Sequence, residues 1–251
     1  MADTIFLATI ALTFLLAGFV KGVTGLGLPT VSLAVLTAVI GLHPAMALML
    51  VPSFTTNVWQ AALGGNFQAI LRRLWPFLLT ATIAIWLGTQ ALTRVHGSVL
   101  SALLGVLLVA YAVIGLRGLK IVIHRAWEVW TGPLFGAVNG VLTGLTGSFV
   151  FPGVLYLQAI GLPKDALVQA MGMLFTASTV GIAFALGGQQ LLTAQLGVLS
   201  LGAVLPAVIG MMLGQRLRRK ISEDSFRRIF LVALLLLGLY IAVKSFSVSP
   251  G

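Results

Sequence analysis

Residues 18–29 read Gly18-Phe19-Val20-Lys21-Gly22-Val23-Thr24-Gly25-Leu26-Gly27-Leu28-Pro29, inside an apolar stretch running from about residue 4 to residue 40. A helix crossing a hydrocarbon core of roughly 30 Å needs about 20 apolar residues, so this stretch is too long for one span. Glycine is costly inside a helix, and proline lacks the amide that the helix ladder needs. The run from Gly22 to Pro29 therefore reads as a non-helical link between two shorter helices.

The pattern returns. Gly136-Ala137-Val138-Asn139-Gly140, followed by Thr143-Gly144, repeats Gly18-Phe19-Val20-Lys21-Gly22 followed by Thr24-Gly25. The second break is Thr143-Gly144-Leu145-Thr146-Gly147-Ser148, with Pro152 shortly after, inside an apolar region of about 131–160. Ile160-Gly161-Leu162 echoes Ile40-Gly41-Leu42, and Pro206 with Gly210 and Gly214 echoes Pro76 with Ala84 and Gly88. A repeat of about 120 residues made of membrane segments points to a duplicated transporter fold.

Composition fixes the class. Of 251 residues, 59% are hydrophobic and 8% charged. A soluble domain carries about 25% charged residues, and a disordered chain is poor in apolar ones, so both are excluded. Single apolar stretches of spanning length occupy about 44–63, 74–92, 98–116, 165–186, 195–214 and 226–246. The N-terminus, Met1-Ala2-Asp3-Thr4, lacks the basic region and cleavage site of a signal peptide, and the first segment is expected to remain. Cysteine is absent, so disulfides and thiolate chemistry are not available.

The net charge of +10 then decides the topology. If each broken region crossed once, six basic residues would face eight across the membrane, against the positive-inside expectation. If each is a hairpin that dips in and returns, loops 64–73, 117–130, 161–164 and 215–228 share one side. That side collects Arg72, Arg73, Arg117, Lys120, Arg125, Lys164, Arg216, Arg218, Arg219, Lys220, Arg227 and Arg228, leaving Arg94 and Lys244 opposite. The expected fold is all-α: one polytopic membrane domain, 1–251, of about eight hydrophobic segments. It comprises two inverted repeats (about 4–116 and 131–246) joined by a cytoplasmic linker of about 117–130. Each repeat holds a re-entrant hairpin and three transmembrane helices.

Lys21 is the one Lys, Arg, Asp or Glu deep within an apolar region. Such a group is costly in a membrane and marks a functional site. A snorkelling lysine is the bland alternative. Amides freed at a half-helix N-terminus favour an anion, and Pro29 suits a first helical turn. Thr24, Gly25 and Gly27 in the first link, and Thr143, Gly144, Thr146 and Ser148 in the second, complete a candidate oxyanion site at mid-membrane. Asn57 and Asn139 are candidates for the pathway, because a primary amide in hydrocarbon needs partners. Ser53, Thr55, Thr56 and Gln60 accompany Asn57, and Gln169, Thr176, Ser178 and Thr179 form the matching stretch. Gly18, Gly136, Gly210 and Gly214 read as close helix contacts.

Catalysis lacks its groups. His43, His96 and His124 lie at segment ends or in loops, and Asp3, Glu128, Asp165, Glu223 and Asp224 are all peripheral. No cofactor, metal or nucleic acid is expected. The basic run Arg216, Arg218, Arg219 and Lys220 beside a span suits anionic lipid. Assembly with further copies of the chain stays open.

The glycine-rich break, its echo Thr143-Gly144-Leu145-Thr146-Gly147 and the closing Leu213-Gly214-Gln215-Arg216-Leu217 resemble the sulfite exporter TauE/SafE family over nearly the whole chain. Ser148-Phe149-Val150 departs from it, since many members carry further glycines there. The resemblance implies a bacterial inner-membrane transporter of sulfite, sulfonates or other sulfur-containing organic anions. A lone lysine agrees in sign. Export is favoured energetically, since one negative charge moving outward gains about 2.3 kcal/mol per 100 mV. A passive anion channel and a non-transporting scaffold are the alternatives.

Overall fold

The first broken region folds as a hairpin with unequal arms. In the computed structural model, which describes residues 2–119, 121–218 and 223–247, helix α1 runs Ala2–Thr24 and α2 runs Leu28–Ile40. Gly25 and Gly27 sit between them with φ of 74° and 117°, in the left-handed region that a side chain resists. At about 1.5 Å per residue, α1 is long enough to cross a bilayer and α2 reaches only about 20 Å.

The chain continues as α3 (Leu42–Leu48), α4 (Leu50–Ala62), α5 (Phe67–Thr89) and α6 (Gly97–Arg117). The second half consists of α7 (Glu128–Thr146), α8 (Gly153–Ala159), α9 (Lys164–Gly188), α10 (Ala194–Gly202), α11 (Val204–Arg218) and α12 (Glu223–Ser247). No strand occurs among the described residues. Residues 4–24, 67–89, 97–117, 164–188, 194–218 and 225–245 are long and apolar enough to cross a membrane. The protein is an all-α, multi-pass membrane protein.

Both broken regions turn back. The first tip lies beside the start of α12, where Gly27 faces Phe230, while the end of α2 lies beside the end of α12, where Lys244 Nζ donates to Ala38 O at 2.9 Å. α2 therefore runs antiparallel to α1. In the second half, the end of α7 packs beside the end of α5, Gly144 against Gly88 and Thr89. The far end of α8 returns to the start of α5, where Arg73 donates to Ile160 O at 3.0 Å. The two tips point toward opposite ends of the molecule.

The expected span 44–63 is jointed rather than continuous. Pro52 has no amide to give Leu48 O, and the freed carbonyl accepts from Ser200 Oγ at 2.8 Å. Ser200 Oγ in turn accepts from Val51 N at 3.1 Å, so one hydroxyl from α10 seals the joint. Pro206 stands in the same relation to Gly202 at the α10–α11 joint.

Glycines set the helix pairing. Gly18 and Gly22 lie against the backbone of Ala207 and Met211, while Gly210 and Gly214 lie against that of Leu15 and Phe19. Gly136, Gly140 and Gly144 do the same on Phe77, Ala81 and Ile85. The most extensive packing is α5 on α7 and α1 on α11, which are equivalent pairs under the sequence repeat; α6 with α12 and α4 with α9 pair across it. At one end, the Arg73 guanidinium grips Glu128 through two hydrogen bonds of 2.6 and 2.8 Å, tying α5 to α7.

Candidate functional site

Lys21 sits in the last turn of α1, held there because Gly18 and Gly22 press this face of the helix onto α11. Its side chain is only 3% exposed. The ammonium donates to Asn57 Oδ1 of α4, and Asn57 is fully buried. The partner is neutral, so the lysine's charge has no carboxylate beside it in this contact. Two amide atoms close by, Asn57 Nδ2 and Gln60 Oε1, are buried without partners among the described residues.

Lys21 lines a cavity of about 290 Å³ with Gly25, Gln60, Gly64, Met211 and Gln215. Asp165 and Arg218, both surface residues at helix ends, also line it, so the cavity opens at the end carrying the α4–α5 turn. Gln60 and Gln169 build its wall reciprocally. Gln60 Nε2 donates to Gly25 O at 3.0 Å and to Val168 O at 2.7 Å. Gln169 Nε2 donates to Ala61 O at 2.8 Å, and its Oε1 accepts from Asn66 N at 2.9 Å. The hairpin tip, α4 and α9 are thereby fastened around Lys21.

A polar stripe leaves this cavity along α4. Gln60, Asn57 and Ser53 fall at helical spacing on one face, and Ser53 Oγ is also buried and unpartnered. Ser178 Oγ on α9 and Asn139 Nδ2 on α7 are in the same condition. An unpaired buried polar atom costs about 1–3 kcal/mol, and three of the seven such atoms among the described residues lie on this face of α4.

The ten sequence candidates separate into two groups. Lys21 and Gly25 line the cavity, and Asn57 joins them only through its bond to Lys21. Thr24 lines the neighbouring cleft instead, and its hydroxyl is spent locally, donating to Val20 O at 2.9 Å and accepting from Leu26 N at 3.0 Å. Gly27 packs behind it against Val20.

The second group lies at the other tip. Asn139 Oδ1 accepts from Gly153 N at 2.9 Å, fixing the start of α8. Thr143 Oγ1 donates to Ser148 O at 2.9 Å, and Thr146 Oγ1 donates to Leu142 O at 2.7 Å while accepting from Ser148 N at 3.3 Å. Gly144 lies inside α7 against α5, and the residue that ends the helix is Gly147, with φ 73°. The expected facing of two hairpins across one mid-membrane site is thus corrected. The tips lie at opposite ends, and the threonine hydroxyls are spent on nearby backbone carbonyls of their own helix or link.

Sequence reasoning left out Gln60, Gln215 and Gly64 as cavity residues. Gln60 carried a signal, being an amide on the same α4 face as Asn57. Of the basic run, Arg216 and Arg218 end α11, whereas Arg219 and Lys220, like Lys120, lie outside the described residues.

Comparison with curated proteins and with solved structures returned no match. The family model described as Sulfite exporter TauE/SafE matches residues 10–241. Nearly the whole chain is covered, breaks and paired helices included, and the protein belongs to the sulfite exporter TauE/SafE family of membrane transporters.

Proposed function

We propose that the chain is a secondary transporter that exports a small oxyanion, sulfite or a sulfonate, across a bacterial inner membrane, and that the Lys21 cavity is its inward-facing binding site. The observation that carries this is a buried ammonium that lines a cavity and bonds to a neutral amide. A cation in that setting gains most from an anion, because attraction is weakly screened away from water. Asn57 Nδ2 supplies a second donor nearby, and the Gly25 backbone lies at the wall.

The charge distribution supports placing loops 64–73, 117–130 and 215–228 in the cytoplasm, where their arginines and lysines meet anionic lipid. The exchange of partners between the halves supports a pair of inverted repeats, 4–116 and 131–246, joined at 117–130. Opposite tips then serve opposite faces.

Lys21→Met tests the site in purified full-length protein. Sulfite binding should weaken by roughly tenfold or more, the loss of one charge-assisted hydrogen bond, while Lys21→Arg retains part of it. Unchanged affinity refutes the assignment. In liposomes, unlabelled sulfite on the far side should accelerate uptake of labelled sulfite, as a carrier requires; absence of this counterflow refutes the carrier mechanism.

A further inference from the structure

A second cleft lies at the opposite end of the molecule from the Lys21 cavity. It measures about 440 Å³ and is bordered by the end of α2, the start of α3, the start of α6 and the end of α12. Thr37 is buried on its wall with a hydroxyl that has no partner among the described residues. His43 Nε2 is also buried and unpartnered there. Two different elements thus place residues with unsatisfied polar atoms at one cleft.

Three further features have a common sign. Lys244 reaches the cleft from α12, bonding Ala38 O at 2.9 Å with one of its three N–H groups. Gly97 and Ser98 open the 21-residue helix α6 at the wall, where their two amides have no helical acceptor, the Val99 amide already donating to His96 O, and the helix dipole is positive. His96, at the cap position, makes no side-chain hydrogen bond to these amides. Ser98 and Ser101 add hydroxyls, and no carboxylate lines the cleft among the described residues.

We infer that this cleft is a second oxyanion site, formed by Lys244, Thr37, His43 and the α6 N-terminus. It takes a small sulfur or phosphorus oxyanion through donors alone. Its contacts stand by themselves; its role as the outward station of the exported anion rests on the transport reading above. The Lys21 cavity and this cleft then lie at the two ends of α2 and of the α3–α4 pair.

Equilibrium dialysis of full-length protein against labelled sulfite, with sulfate as a second probe, tests it. Two anions should bind per chain, and one in Lys21→Met. In that Lys21→Met background, adding Lys244→Gln with Thr37→Val should weaken the remaining site by roughly tenfold or more, and Lys244→Arg should restore it. A Lys21→Met protein that binds nothing, or whose binding ignores the added substitutions, overturns the cleft site. Should Lys21→Met leave both anions bound while the Lys244 and Thr37 changes remove one, the Lys21 assignment fails and the cleft stands. A lone cysteine at Val39, an exposed residue of the cleft outside the proposed donors, offers a second check. Sulfate should slow its reaction with a maleimide, and an unchanged rate counts against the site.

Discussion

Gly140→Ala and Gly197→Ala are the same chemical change in helices and should move stability in opposite directions. A Cβ built on Gly140 collides with the carbonyl of Ala81 and lies 2.8 Å from Ala84 Cβ, where carbon atoms normally keep about 3.5–4.0 Å. α5 and α7 must separate by the better part of an ångström, along the most extensive interface in the protein. Overpacking of this kind costs roughly 1–3 kcal/mol, against a helix-propensity gain of up to about 1 kcal/mol. A net loss of about 1–2 kcal/mol follows. A Cβ on Gly197, in α10, meets nothing within 4 Å, so only the gain of about 0.4–1 kcal/mol remains. Unfolding of both variants in mixed micelles, with a reversible denaturant titration, measures the difference. If Gly140→Ala is as stable as Gly197→Ala, the close backbone contact between α5 and α7 is wrong.

Two more tests bear on the frame around the site. Cysteines introduced singly at Pro44 and Pro163, in a chain with none of its own, should react with an impermeant maleimide from opposite sides of the membrane. Labelling from the same side would mean that the broken regions cross once. Glu128→Gln removes the charge from the bidentate contact with Arg73, whose side chain is 26% exposed against 10% for Glu128. It should lower stability by about 1–2 kcal/mol at low salt and by less at high salt. A salt-independent loss would show that the pair acts through packing alone.

Local features were legible in the sequence where one residue type permits only one outcome. Gly25, Gly27 and Pro29 allow a break and a new helix start; Lys21 admits no ordinary place in hydrocarbon. The lopsided distribution of twelve basic residues separates the hairpin from the single crossing, because a hairpin reverses the side of every later loop. What was not legible depends on partners far along the chain. The joint at Met49 follows from Pro52, but Ser200, 152 residues from Leu48, supplies its hydrogen bond. Gly144 resembles the break glycines in sequence and is a packing glycine in space, since only the position of α5 distinguishes the two. Thr143, Thr146 and Ser148 have hydroxyls suited to a ligand, yet the two threonine hydroxyls bond carbonyls close by in the chain, Ser148 O and Leu142 O.

The repeat is most informative where it fails. Lys21 and Asn139 occupy matching places before the two breaks, and both are buried. Asn139 turns its carbonyl oxygen to Gly153 N and so holds the return arm of its own hairpin. Lys21 has no acceptor to offer a backbone amide, and its return arm instead begins beyond two left-handed glycines. The first hairpin has given up an internal brace and placed a charge against α4; its tip is braced from outside, by Gln60 on Gly25 O. A tip held by a side chain of another helix can be released when that helix shifts, whereas a tip held by its own hairpin cannot. Because Gly18 and Gly22 lock α1 to α11, Lys21 travels with α11 while Asn57 and Gln60 travel with α4. The anion site proposed between them would therefore bear directly on how those two helices sit against each other.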